Sequence, residues 1–253
     1  MNEAKPGNPR APDLRIEDLQ VRYSNGAGAV TALEIAQLSV PPGAQLAVTG
    51  PSGSGKSTFL YAIGGLLRPQ RGRVLWDGRD ILGAAESARD RWRRHTVGFA
   101  FQDFHLLPEL TPLQNVLLPA SFERFAADRA LRARAIALLE HFAVPQARKS
   151  IATLSRGEQQ RVAIARALLF DPPVILADEP TASLDAKAGA VVIDILLQLC
   201  ARDGRTVIAI SHDQELLQRF ANKLALDHGR VTERPPQPLQ AMEAMRAVPG
   251  IVS

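Results

Sequence analysis

Apolar positions along this chain follow two different periods. Short apolar runs at 45–49, 97–101, 174–177 and 206–211 read as strands buried on both faces, the pattern of a parallel sheet. Elsewhere apolar residues recur three and four apart. Phe59, Leu60, Ile63, Leu66 and Leu67 predict a helix over 56–67, and Leu131, Ala135, Leu138 and Phe142 line one face of another. Val162, Ile164, Ala165, Leu168 and Leu169 predict a third, and an apolar helix covers 191–199. Strands alternating with helices give an α/β class.

Three further segments, 14–23, 32–40 and 73–76, suggest a small antiparallel sheet beside this core. From 103 to 171 the chain reads mostly helical. Thr111-Pro112-Leu113-Gln114 is a helix start, with a Thr cap, Pro at the first position and Gln at the third. The predicted organisation is a flexible stretch 1–13, then one domain over 14–234. Its core is 14–102 and 172–234, interrupted by a helical subdomain at 103–171. The segment 235–253 opens with three prolines in four residues and is expected to be peripheral.

The sharpest chemical signal lies between the predicted strand 45–49 and helix 56–67. Gly50-Pro51-Ser52-Gly53-Ser54-Gly55-Lys56-Ser57-Thr58 matches G-x-x-x-x-G-K-[ST] in the strand–loop–helix setting that this phosphate-binding motif needs. Its glycines let successive N–H groups point inward, and the helix N-terminus adds positive potential, so a multiply charged anion is the natural guest. Lys56 would reach the β- and γ-phosphates, and Ser57 would complete a Mg²⁺ shell. The buried strand 174–177 ends in Asp178-Glu179-Pro180. Side chains alternate along a strand, so Asp178 is expected to hold the metal and Glu179 to polarise the attacking water.

A second element sits about a hundred residues on, at Leu154-Ser155-Arg156-Gly157-Glu158-Gln159-Gln160-Arg161. Ser155 with Glu158 three residues later reads as a capping box opening a helix, whose N-terminus is an anion seat with no loop of its own to enclose a nucleotide. With these motifs in order the chain resembles the ATPase subunit of an ABC transporter over residues 14–232. The resemblance implies a P-loop NTPase fold: a RecA-like core, a flanking antiparallel β subdomain and an inserted helical signature subdomain. It implies ATP and Mg²⁺ as ligands. By the same resemblance Tyr23 stacks on adenine, and Gln102 touches the metal and senses the γ-phosphate. Asp185, in Ala182-Ser183-Leu184-Asp185, crosses to a partner copy, and His212 contacts the γ-phosphate.

The family's signature is Leu-Ser-Gly-Gly-Gln, and this chain departs from it at Arg156 and Glu158. Glu158 keeps the capping geometry. Arg156 places a cation where the helix dipole disfavours one, and the sequence does not decide whether it acts or merely points outward. In the family this seat, formed by Ser155, Gly157 and Glu158, closes over the nucleotide of a second copy, so a homodimer forming on ATP binding is implied.

Composition narrows the setting. The chain has 253 residues, one Cys, which excludes a disulfide framework, and a formal net charge of +4. Its first dozen residues are polar, and no run approaches the ~20 apolar residues of a transmembrane helix. A cytoplasmic protein is predicted, held at the inner face of the membrane through an integral membrane permease subunit. The basic residues are scattered. Their one dense cluster, Arg89 to Arg94, reads as a solvated helix face, with contact to lipid headgroups or a partner as the alternative, and no nucleic acid is expected. Cys200 reads as a small buried filler.

The apolar stretch Phe104 to Leu110, with Asn115 to Pro119, either packs the helical subdomain or forms a groove for a short helix of a membrane partner. Within the family this stretch looks most like the lipoprotein-release, macrolide-export and cell-division branch. An importer ATPase, or another ABC complex with a different membrane partner, is the alternative. A DNA-acting ABC ATPase would need a long coiled-coil insert, and a translation-type protein two cassettes; the chain has neither.

Overall fold

The computed structural model describes residues 10–24, 28–121, 128–144 and 150–234. The strands are β1 (Leu14–Ser24), β2 (Ala29–Val40), β3 (Gln45–Thr49), β4 (Arg71–Trp76), β5 (Arg79–Asp80), β6 (Val97–Ala100), β7 (Val174–Asp178), β8 (Thr206–Ile210), β9 (Asn222–Asp227) and β10 (Arg230–Glu233). The helices are α1 (Lys56–Ile63), α2 (Glu86–Thr96), α3 (Pro112–Ser121), α4 (Arg129–His141), α5 (Arg156–Ala167), α6 (Ala186–Ala201) and α7 (Gln214–Arg219).

Two sheets form. One is antiparallel, in the order β2-β1-β4-β5; the other runs β10-β9-β3-β8-β7-β6 and is parallel except for its β10–β9 edge pair. Every residue of β7 and β8 is buried. Alternation divides them between two cores: Ile175 and Ala177 face the helices α3 to α6, whereas Val174 and Leu176 face α1 and the antiparallel sheet. The carboxyl ends of β3, β7 and β8 lie side by side, and open α/β sheets place ligands at such ends.

Several expectations shift in detail. The helix predicted over 56–67 stops at Ile63: Gly64 caps it, Gly65 turns with φ 69°, and the N–H groups of Leu66 and Leu67 both donate to the Tyr61 carbonyl. Packing begins ahead of Leu14, since Ala11 and Pro12 are buried and Asp13 exchanges hydrogen bonds with Asp77. That corrects the last residues of the stretch 1–13 expected to be flexible; residues 1–9, like the 235–253 tail, lie outside the described residues.

The basic cluster on α2 is only partly a solvated face: Arg91 is exposed, whereas Arg89, Arg93 and Arg94 are half-buried. The Arg89 stem lies over Gly65, Trp92 is 6.4 Å from Trp76, and Arg93 donates to the Gly65 carbonyl at 2.8 Å and pairs with Asp90. Long Arg stems cover apolar surface in this way. The Thr111–Gln114 cap forms reciprocally, Thr111 N to Gln114 Oε1 at 2.9 Å and Gln114 N to Thr111 Oγ1 at 3.2 Å. Cys200 is buried, and burial pushes its thiol up to about 12.

Candidate active site

The loop between β3 and α1 has a shape that only its glycines allow. At Gly50 (φ 143°) a Cβ would lie 2.0 Å from the Leu226 carbonyl oxygen, and at Gly55 (φ 98°) 2.4 Å from that of Ala32. Neither position admits another residue without moving backbone. Lys56 opens α1 and is buried. Its ammonium donates to the carbonyls of Gly50 at 2.9 Å and Pro51 at 2.8 Å, spanning the loop. Burial lowers its pKa, against the opposing pull of Glu179 and Asp178. Beside it the buried Ser54 hydroxyl has no hydrogen-bond partner among the described residues.

Asp178 ends β7 and is 4% exposed. It accepts hydrogen bonds from Ser57 Oγ at 3.4 Å and Tyr61 Oη at 3.1 Å, one on each carboxylate oxygen. Ser57 and Tyr61 are four apart on α1, hence on one face. Burial, reinforced by the Asp178 charge, pushes Tyr61 up to about 12. The next residue turns away: Glu179 adopts φ 46°, anchors its N–H on the Ile210 carbonyl at 3.0 Å, and places Oε1 3.5 Å from His212 Nε2. The two adjacent acids therefore meet different partners, because β7 ends at Asp178 and the left-handed turn at Glu179, rather than strand alternation, redirects the second side chain. Gln102, just past β6, and Tyr23, 46% exposed near the end of β1, make no hydrogen bond to this cluster.

Ser155 and Glu158 form the expected capping box at α5: Ser155 N donates to Glu158 Oε2 at 2.7 Å and Glu158 N to Ser155 Oγ at 3.3 Å. Among the described residues Ser155 bonds within this box and not to the loop at 50–58. Gly157 is buried where α5 meets α6; a Cβ there would come 2.9 Å from that of Ala188. Asp185 is exposed and caps α6, accepting from Ala188 N at 2.8 Å. Arg156 is exposed, and its guanidinium lies over the Phe104 ring.

A family model described as ABC transporter matches residues 33–182. The chain belongs to the ABC transporter family. It is an ATP-binding ATPase cassette of that family, with the P-loop NTPase fold. Relatives include a lipoprotein-releasing system ATP-binding protein LolD of Shewanella oneidensis, 39% identical over 85% of this chain and 94% of that protein. A macrolide export ATP-binding/permease protein MacB of Paracoccus denitrificans is 43% identical; the match covers 87% of this chain and 33% of that longer protein. These relatives fall in the lipoprotein-release and macrolide-export branch. Among solved structures, a dimeric bacterial ABC transporter cassette is 37% identical with a TM-score of 0.80, covering 87% of this chain and 97% of its own. A post-hydrolysis dimer of that cassette with ADP and phosphate gives 0.78 at 36% identity.

In this ABC cassette, among the described residues, no three His, Cys, Asp or Glu side chains converge to hold a metal. The donor set is instead one buried carboxylate and a hydroxyl beside a phosphate cradle. That fits Mg²⁺, which binds through one or two carboxylates plus phosphate oxygens and water.

Three residues that sequence reasoning passed over join the site or its margin. Tyr61 reaches Asp178. Asn115, fully buried, accepts from Leu107 N at 2.8 Å and donates to the Leu107, Leu110 and Thr111 carbonyls, fixing the loop before α3. Arg166 donates to the Phe104 and His105 carbonyls, and burial lowers its pKa. An Asn inside an apolar helix was the one signal available for any of them.

A groove of about 510 Å³ opens behind this loop, lined by Leu66, Phe99, Phe101, Leu118, Pro119 and Phe170, with Arg93, Arg94, Arg166 and His105 among its polar residues. The apolar stretch thus divides: Phe104 and Val116 are buried in the core, whereas Leu118 and Pro119 face the groove.

Proposed function

We propose that this chain powers an ABC transporter by ATP hydrolysis, two copies closing on two ATP molecules and driving a separate integral membrane subunit. The observation that carries the reading is the division of parts. A glycine cradle, Lys56, Asp178 and the Glu179–His212 pair converge at the carboxyl ends of β3, β7 and β8, while among the described residues the Ser155 side chain at the capped N-terminus of α5 bonds within its own box and not to them. A second copy would bring that seat to the phosphate.

In this mechanism the amides of residues 50–58 and Lys56 hold the phosphates, and Tyr23 stacks on the adenine. Ser57 and Asp178, with Gln102, would hold Mg²⁺, which when bound would offset the charge of the phosphates. Glu179 orients a water and takes its proton; His212, 3.5 Å away, steadies that carboxylate and faces the γ-phosphate. Phosphoryl transfer asks mainly for such positioning and charge stabilisation. From the partner copy Ser155, Gly157 and Glu158 cover the γ-phosphate, with Asp185 at the crossing.

The groove receives a short amphipathic helix of the membrane subunit. Its apolar lining suits the buried face of such a helix. No helix among the described residues is long and apolar enough to cross a membrane, so we assign the chain to the inner membrane face through that subunit. The LolD and MacB relatives favour lipoprotein release or export as the work done.

The test is ATP hydrolysis against protein concentration with light scattering. The specific rate should rise with concentration as dimers form. A strictly monomeric preparation turning over at full rate would defeat the proposal.

A further inference from the structure

Tyr61 joins two regions that the mechanism treats separately. Its hydroxyl donates to the Asp178 oxygen that Ser57 does not take. Its ring lies 6.4 Å from Phe101, tilted by 57°. Phe101 in turn stacks on Phe99 at 5.3 Å, nearly parallel, and meets the edge of His105 at 5.1 Å. Phe99, Phe101 and His105 all line the groove. A continuous aromatic path therefore runs from the groove wall, through the α1 phenol, to a buried carboxylate.

We propose that Tyr61 is a positioning residue that fixes the orientation of Asp178 toward Mg²⁺ and makes that orientation depend on how Phe101 packs at the groove. A carboxylate held by a single hydroxyl can turn about its terminal torsion. Two hydroxyls from one helix face, one on each oxygen, stop that rotation. Outer partners of metal ligands commonly change metal affinity by about 10–100-fold. Any displacement of Phe101 reaches Asp178 through the phenol that touches both. The inference rests on the reading of Asp178 as a holder of the metal on bound ATP.

The experiment measures the affinity of the full chain for a fluorescent ATP analogue, in excess Mg²⁺ and again in EDTA. It compares wild type, Tyr61→Phe, Phe101→Leu and the double variant, each checked by thermal melting. Tyr61→Phe should weaken binding about tenfold in Mg²⁺ and leave it unchanged in EDTA. Phe101→Leu should lose part of the Mg²⁺ effect, and the double variant should be no weaker than Tyr61→Phe alone, since the second change acts through the phenol. Wild-type Mg²⁺ dependence in Tyr61→Phe overturns the positioning role, as does an equal loss in EDTA, which marks a general packing defect. Fully additive effects overturn the link to the groove. If wild type binds no analogue in either condition, the ATP reading itself falls and this inference falls with it.

Discussion

Arg156 holds its guanidinium 5.7 Å from the centroid of the Phe104 ring. A cation in the first turn of a helix opposes the dipole; the negative face of a ring offsets that. Phe104 is pinned from the far end of the same helix as well, because Arg166 donates to its carbonyl and to that of His105. Phe104 and His105 both adopt positive φ, 57° and 47°. The loop that carries Gln102 is thus fastened to α5 at two points, and the signature residue that looked least suited to its place supplies one of them.

Arg156→Gln, which keeps helix propensity, loses the ring contact, about 0.5–1 kcal/mol at an exposed site, and also relieves the cation–dipole repulsion, about 0.3–1 kcal/mol, so its melting temperature should stay within about 3 °C of wild type. Phe104→Leu should reduce stability further by its own packing loss, and the double variant should recover the coupling. Fully additive effects would mean that the contact contributes nothing.

Glu179→Gln removes the proton acceptor and keeps the shape. The strained backbone at φ 46°, held by the Ile210 carbonyl, does not depend on the carboxylate charge. The variant should bind ATP as wild type does and hydrolyse it about 10²–10⁴ times more slowly, accumulating a closed dimer visible by light scattering. Hydrolysis near the wild-type rate would take Glu179 out of that role.

How far the sequence reached is clearest in particular residues. The strand–loop–helix setting of Gly50 to Thr58, the box of Ser155 with Glu158 and the cap of Thr111 with Gln114 are each determined within a few residues of chain, and each forms as the spacing implies. Tyr61 was silent because its meaning is a hydrogen bond spanning 117 positions, which local periodicity cannot carry. The α1 terminus was misplaced because Leu66 and Leu67 continue the apolar period past Gly64-Gly65, and the glycine cap prevails over the pattern. Arg89 to Arg94 read as solvated because charge was counted without the Gly64-Gly65 turn, against which the Arg89 stem lies and to whose carbonyl Arg93 donates, or the Trp76 ring that meets Trp92.

Asp171 gives a pH prediction. Burial pushes its carboxyl upward, but the Arg205 hydrogen bond, together with the Arg134 and Arg205 charges, outweighs burial and leaves it below the usual carboxylate range. A pKa depressed in the folded state means stability that is complete above the unfolded value, about 3.9, and is lost as pH falls through the lower folded value. Asp171→Asn should be less stable than wild type at neutral pH, because among the described residues buried Arg205 is left with Asp203 and the Pro172 carbonyl. The gap in melting temperature should hold steady down to about pH 5 and narrow below about pH 4. A gap unchanged down to about pH 3 would show that the ion pair is not its source.

The shared-site arrangement is tested most directly at Ser155. Its side chain stands at the exposed entrance to α5, bonded within its own capping box and to nothing in the loop at 50–58. Ser155→Arg breaks that box, at a typical cost of about 1 kcal/mol, and sets a bulky cation over the anion seat. ATP binding by the isolated chain should be unchanged, because Lys56 and the glycine cradle are untouched. Placed in the Glu179→Gln background, where ATP otherwise traps a dimer, Ser155→Arg should return the protein to monomer on light scattering while analogue binding persists. If the double variant still dimerises on ATP, the N-terminus of α5 does not close on the partner's nucleotide, and the two-copy reading fails at its central contact.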